Sequence, residues 1–191
     1  MFETPRPVVE DPDDADVAAG EPHRFEVLFR RYAPEIKRYA VRRLGPGPAD
    51  DIVAETFLTA FRLRDSYERE RGEVRAWLYG IATNLISRHK RDEIRLLKAL
   101  QKTGVDPVTE PFTERVEARV SADIASRRIA AAIAGLPAGH RDVLLLVTWA
   151  DLTYDQVAQS LGIPEGTVRS RMNRVRAKLR RKLGDIDPNT I

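Results

Sequence analysis

Residues 152–183 read LTYDQVAQSLGIPEGTVRSRMNRVRAKLRRKL, and this stretch decides the architecture. It divides into a short helix, a glycine-containing turn and a longer, arginine-loaded helix. Thr153 is placed to cap the first helix, Gly162 to stop it and Pro164 to start the second. In the second helix Val168, Met172, Val175 and Leu179 form one apolar stripe at three- and four-residue steps, which has to pack inward. The first helix offers Val157, Ala158 and Leu161 for that packing. At roughly 100° per residue, the face opposite the stripe carries Gly166, Ser170, Asn173, Arg174 and Ala177, flanked by Arg169, Arg171, Arg176 and Lys178. This is the pattern of a helix-turn-helix that lays its second helix in a DNA major groove. Arginine forks onto guanine, asparagine pairs with adenine, and flanking cations meet phosphates. The small Ala177 lets the helix approach closely. The competing reading is a basic amphipathic helix whose charges are merely solvated. The joint presence of the turn, the short first helix and one arginine-rich face favours DNA.

Composition sets the bounds. The chain has 191 residues, 42% hydrophobic, 32% charged and 7% aromatic, with no cysteine. That length suits one or two small domains. The net charge of +3 hides a strong asymmetry. Residues 1–22 carry Glu3, Glu10, Asp11, Asp13, Asp14, Asp16 and Glu21 against Arg6, whereas Arg169, Arg171, Arg174, Arg176, Lys178, Arg180, Arg181 and Lys182 crowd the other end. An acidic head and a basic tail point to a nucleic-acid partner at the C-terminal side. Without cysteine there is neither a disulfide framework nor a thiolate zinc site. His23, His89 and His140 show no ligand spacing and read as surface or packing residues, so no metal and no cofactor are expected. No apolar run approaches the roughly 18 residues of a membrane span, and the acidic start lacks the basic and apolar segments of a signal peptide. The expectation is a cytoplasmic protein with no membrane insertion.

The rest of the chain is helical in period, with no strand signal and no internal repeat. Residues 1–22 are Pro- and Asp-rich and read as a disordered acidic extension. A first module is expected over residues 23–100. Its first helix runs from Arg24 with Phe25, Leu28, Phe29, Tyr32, Ile36, Tyr39 and Ala40 in step, up to a break at residues 45–48, GPGP. A second helix, residues 52–64, is capped by Asp50 or Asp51 and has Val53, Phe57, Ala60 and Phe61 inside. A polar loop, residues 66–73, precedes a third helix over about 74–100 with Trp77, Leu78, Ile81 and Leu85 inside. Residues 101–122, with Gly104, Pro107 and Pro111, read as a flexible linker. Residues 123–184 form the second module, in which Ile124, Ile129, Ile133 and Leu136 lead into a helix carrying Val143, Leu144, Leu146 and Val147, ahead of the helix-turn-helix. Residues 185–191 are a tail. The fold class is therefore all-α, two small helical domains on a flexible tether.

The first module has two outward faces of interest. The second helix exposes Asp51, Glu55, Leu58, Thr59 and Arg62, and Leu58 beside two carboxylates is either a docking patch or a stray surface leucine. The third exposes Thr83, Asn84, Ser87, Arg88, Lys90 and Arg91, with Tyr67 and Arg71 in the loop before it. Aromatics, arginines and amides suit a single strand whose bases stack and are read on their edges. A solvated basic face is the plain alternative.

Both modules together resemble bacterial RNA polymerase sigma factors of the extracytoplasmic-function type. Region two of that family is resembled by LFRRYAPEIKRYAVRRL (28–44), DDIVAETFLTAF (50–61) and GEVRAWLYGIATNLISRHKR (72–91). Region four is resembled by GLPAGHRDVLLLVTWADLTYDQVAQSLGIPEGTVRSRMNRVRAKL (135–179). The likeness covers about 25–98 and 126–183, and the family's third region is missing between them, as in its minimal type. The resemblance implies that Asp51, Glu55 and Leu58 dock on the clamp helices of the core polymerase β′ subunit. It implies that Tyr67, Arg71, Asn84, Arg88 and Arg91 open and hold the minus-ten promoter strand. It implies that the helix-turn-helix reads the minus-thirty-five element through Arg169, Ser170, Asn173 and Arg174, with Arg171, Arg176, Lys178, Thr153 and Tyr154 on the same DNA-facing surface. The helices before it would cover the β flap, and an anti-sigma factor would clamp both modules. The acidic linker residues Asp106, Glu110 and Glu114 suit either a polymerase channel or ordinary tether chemistry.

A linker of about 14 to 20 residues spans at most roughly 45–70 Å, enough to set two modules one to two helical turns of duplex apart. No GxxxxGK[ST] loop is present, so strand opening would draw on binding energy rather than on nucleotide hydrolysis. The reading is a non-enzymatic initiation factor. The alternative is a stand-alone helix-turn-helix regulator of LuxR type acting without core polymerase, whose first module would be a sensor. A hydrolase has no nucleophile–base or metal constellation to support it.

Overall fold

The computed structural model describes residues 25–67, 73–102 and 124–183, with side chains of 97–102 and 124–127 outside that description. The acidic extension, Arg71, most of the linker and the tail lie outside the described residues. Among the described residues there are seven α-helices and no strand: α1 Phe25–Leu44, α2 Ala49–Leu63, α3 Val74–Lys102, α4 Ile124–Ala134, α5 Ala138–Thr148, α6 Tyr154–Leu161 and α7 Glu165–Leu183, with a 3-10 turn Arg64–Ser66 after α2.

The first three helices form a bundle in which every pair touches. Leu28, Ile36, Tyr39 and Ala40 of α1 meet Ile52, Val53, Phe57 and Ala60 of α2 and Leu78, Tyr79, Ala82 and Ile86 of α3. Edge-to-face ring pairs join the helices, Phe25 to Phe61 at 5.5 Å, Phe29 to Phe57 at 4.9 Å and Tyr39 to Tyr79 at 5.3 Å. α2 begins three residues before the expected start, at Ala49, and Pro48 at its N-cap makes no side-chain cap. Asp50 and Asp51 therefore stand in the first turn, where the helix dipole favours carboxylates.

In the second module Thr153 and Gln156 close a capping box on α6, the Gln156 amide donating to Thr153 Oγ1 at 3.2 Å and the Thr153 amide to Gln156 Oε1 at 2.8 Å. Gly162 ends α6 in the left-handed region at φ 61°, where glycine carries no Cβ penalty. The α7 stripe Val168, Met172, Val175, Leu179 and Leu183 is buried against α4, α5 and α6.

The two modules do not stand apart. α3 packs on α6 across the module boundary, and one contiguous apolar core runs through both. This explains one departure on α3: Trp77 and Leu85, expected inside, are half-buried and pack against the core, whereas Thr83, expected outside, is 1% exposed. α3 has a partner on two sides, so its buried arc is wider than a single amphipathic stripe. Of the expected linker, Gln101 and Lys102 continue α3.

Candidate nucleic-acid interface

On α7 the inward stripe turns Ser170, Asn173, Arg174 and Ala177 outward together, and all four are exposed along with Gly166. The expected reading face is thus one continuous surface. Ser170 Oγ donates to the Thr167 carbonyl at 3.1 Å. Arg169 is exposed and pairs with Glu165 at 2.8 Å, one turn back. The flank is less uniform. Lys178 Nζ donates to the Gly135 carbonyl at 2.7 Å, satisfying the C-terminal end of α4. Arg171 is half-buried, its guanidinium lying against Gly139 at the start of α5. Arg176 is half-buried. Thr153 is exposed but its hydroxyl is used by the cap, and Tyr154 is half-buried beside it.

His140, which the sequence marks only as a surface or packing residue, lies beside Arg171, Arg174 and Lys178 of this surface. Burial first, then Arg171, Arg174 and Lys178, hold its imidazole below the ordinary histidine value. Its position inside the α7 cationic field has no signal in sequence, because α5 and α7 meet only in the folded module.

In the first module Asn84, Arg88 and Arg91 are exposed on α3. Arg88 lies 3.9 Å from Asp92, one turn on. Tyr67 is half-buried and tilted against Trp77 at 5.0 Å, which ties the residue after the 3-10 turn to the first turn of α3. Asp51, Glu55 and Leu58 share an exposed face of α2, with Leu58 43% exposed. Phe29, read as inner, is 45% exposed. Among the described residues no three His, Cys, Asp or Glu side chains gather to hold a metal ion, and no helix is long and apolar enough to cross a membrane.

A second polar cluster lies between the modules. Arg43 of α1, 3% exposed, donates through Nη2 to Asp142 of α5 at 2.6 Å and through Nη1 to the Tyr39 hydroxyl at 2.7 Å. That hydroxyl lies 3.1 Å from Thr83 Oγ1. Arg75 of α3 forks onto Glu35 at 3.1–3.3 Å and donates to the Ala150 carbonyl, beyond α5, at 2.7 Å. Ser160 Oγ donates to the Ala76 carbonyl at 2.6 Å, and Gln156 Nε2 to Glu73 at 2.7 Å.

Lys90, expected on the exposed face of α3, is half-buried at this junction. Desolvation, then Arg43 and Arg141, pull its ammonium down to about 8, against the opposing pull of Asp142 and Glu93. The folded chain then holds fewer protons than the unfolded chain between about 8 and 10.5, so folding stability rises with pH across that window. Lys90→Met is expected to raise the urea midpoint at pH 7.5, and the gap from wild type to close as pH passes 8. A gap independent of pH would show that the ammonium is not its cause.

Residues 28–96 match the family model Sigma-70 region 2, and residues 126–179 match Sigma-70, region 4. The chain is 32% identical over 170 residues to the ECF RNA polymerase sigma factor SigL of Mycobacterium tuberculosis, covering 88% of this chain and 94% of that one. It is 32% identical over 161 residues to the ECF RNA polymerase sigma factor SigE of Mycolicibacterium smegmatis, covering 82% of this chain but only 60% of that longer relative. The fold is similar to that of the sigma factor RpoE of Bartonella quintana, solved in complex with the anti-sigma factor NepR, with a TM-score of 0.61 and 24% identity over 85% of this chain and 98% of that one. The region 2 match occupies the module that a LuxR-type regulator would use as its sensor, and nothing supports that alternative. Two sigma regions in order on one helical chain, with likeness to SigL over 88% of its length, place it in a single family: the chain belongs to the ECF RNA polymerase sigma factors.

Proposed function

We propose that this sigma factor binds core RNA polymerase through the outer face of α2, carries it to promoters through the α7 face, and assists strand opening through α3. The observation that carries the reading is the coincidence of an exposed Ser170–Asn173–Arg174 face with the region 4 match, on a chain whose other module matches region 2. In this reading Asp51, Glu55 and Leu58 meet the β′ clamp helices and the α4–α5 helices cover the β flap. Tyr67, Arg71, Asn84, Arg88 and Arg91 hold the unpaired minus-ten strand. Arg169, Ser170, Asn173 and Arg174 read the minus-thirty-five duplex. Arg171, Arg176, Lys178, Thr153 and Tyr154 lie along its phosphates.

The chain contributes no bond-making chemistry of its own. Unstacked bases held by aromatic and amide side chains supply the free energy for opening. The site of action is where the polymerase works, the cytoplasm, and the partner that silences the protein is an anti-sigma factor, the kind of protein bound to RpoE of Bartonella quintana.

The test is a promoter-opening assay with purified core polymerase, scored by permanganate reactivity of unpaired thymines across a genomic promoter library. Reactivity that needs both proteins is the expected result. Duplex binding without core polymerase, and no opening on any promoter, would overturn the reading.

A further inference from the structure

We propose that His140 of α5 holds a backbone phosphate of the minus-thirty-five duplex when its imidazole is protonated, so that promoter binding tightens as pH falls. This deepens the reading above, in which α7 lies in the major groove, and rests on it.

The position follows from how α5 meets α7. Arg171, Arg174 and Lys178 stand at i, i+3 and i+7, so at roughly 100° per residue they line one edge of α7, beside the reading face. α5 packs on α7, and the contact lies along this edge. The Arg171 guanidinium sits over Gly139, where a Cβ would stand 3.0 Å from Nη1. Lys178 Nζ is tied to the Gly135 carbonyl, shortly before α5, at 2.7 Å. Arg174 is exposed, and His140, the residue after Gly139, is half-buried, so part of its ring is open to solvent. Two helices thus bring four basic side chains to one flank of the groove-facing helix. Phosphates run along the flanks of a recognition helix, and their contacts set its register.

The charge acting on His140 is all of one sign. Arg171, Arg174 and Lys178 act from α7, and among the described residues no group of α6, which also packs on α5, joins them. On its own helix, Arg141 donates to the Ala134 carbonyl at 3.3 Å, and the Asp142 carboxylate is turned inward onto Arg43. Burial and these cations favour the neutral ring in the free chain. A phosphate placed among them reverses the balance, because an anion at close range favours the charged ring. The DNA-bound chain then holds more protons than the free chain, so affinity rises as pH falls through the histidine range. Only the imidazolium neutralises a phosphate and releases its counterion, so the contact also steepens the salt dependence.

The test assembles the full-length chain with core polymerase and titrates it by fluorescence anisotropy against a minus-thirty-five duplex and a scrambled duplex, in salt series at pH 6 and pH 8. At pH 6 wild type is expected to bind about threefold tighter than His140→Gln, the size of an exposed ion pair. At pH 8 the two should coincide. The wild-type salt slope should exceed that of His140→Gln by about 0.9 at pH 6, the equivalent of one phosphate, and match it at pH 8. His140→Lys carries its charge at both pH values and should keep the steeper slope at both. The effects should be equal on the scrambled duplex, since a phosphate contact carries no sequence information. His23 and His89 are present in every variant, so their titration drops out of the comparison. Parallel pH and salt profiles for wild type and His140→Gln would overturn the contact. So would a His140→Gln loss as large at pH 8 as at pH 6, which would mark His140 as a packing residue. Failure of the sigma-factor reading is distinguishable, because it abolishes permanganate reactivity of the wild type on every promoter at either pH.

Discussion

Asn173→Ala combined with Arg174→Ala is expected to reduce affinity for the minus-thirty-five duplex on the order of a hundredfold, with no loss of helical structure. Both side chains are exposed on α7 and leave the Val168–Met172–Val175–Leu179 stripe intact. Surface changes away from packing move stability by roughly 0.5 kcal/mol or less. Each base-edge contact is worth about 1–3 kcal/mol, and about 1.4 kcal/mol is tenfold in affinity. The two residues are adjacent, so their losses need not add. Arg176→Ala makes the useful contrast, since a phosphate contact should weaken all sequences alike and lower the salt slope by about one. Fluorescence anisotropy against the promoter duplex and a scrambled duplex separates the two. Equal losses on both sequences from the double variant would remove Asn173 and Arg174 from base readout.

Leu58→Asp is expected to weaken core polymerase binding by about thirtyfold or more while leaving minus-thirty-five duplex binding unchanged. An exposed leucine on a helix face with Asp51 and Glu55 leaves 43% of its surface uncovered among the described residues. Buried at the centre of an interface, such a residue costs about 2 kcal/mol or more when lost, and an unpaired carboxylate in its place adds desolvation. Titration of labelled core polymerase with the variant measures the effect, and an unchanged Kd would move the docking surface elsewhere, with the exposed Phe29 as the next position to alter.

Much of this molecule was legible in one dimension. The α7 stripe, its opposite face, the Thr153 cap and the Gly162 stop all follow from helical periodicity and local backbone preference, which act over a few residues. So do the outer faces of α2 and the Asn84–Arg88–Arg91 line of α3. Periodicity failed where a helix has two neighbours. Thr83 and Lys90 are polar residues on what reads as a solvent face, yet Thr83 is buried with its hydroxyl 3.1 Å from that of Tyr39 on α1, and Lys90 is half-buried near Arg43 of α1 and Arg141 and Asp142 of α5.

The sequence by itself determined the helices, their inner and outer faces, the two-module order and the charge that marks α7 for DNA, because these depend on residues within a turn or two of one another. Only the tertiary structure decided that the modules close on each other. Arg43 and Asp142 are 99 residues apart, Ser160 and Ala76 are 84, and Gly80 reveals its purpose only against the Ser160 carbonyl. Such pairings leave no periodic trace, since each is a single contact between surfaces brought together by the packing of whole helices.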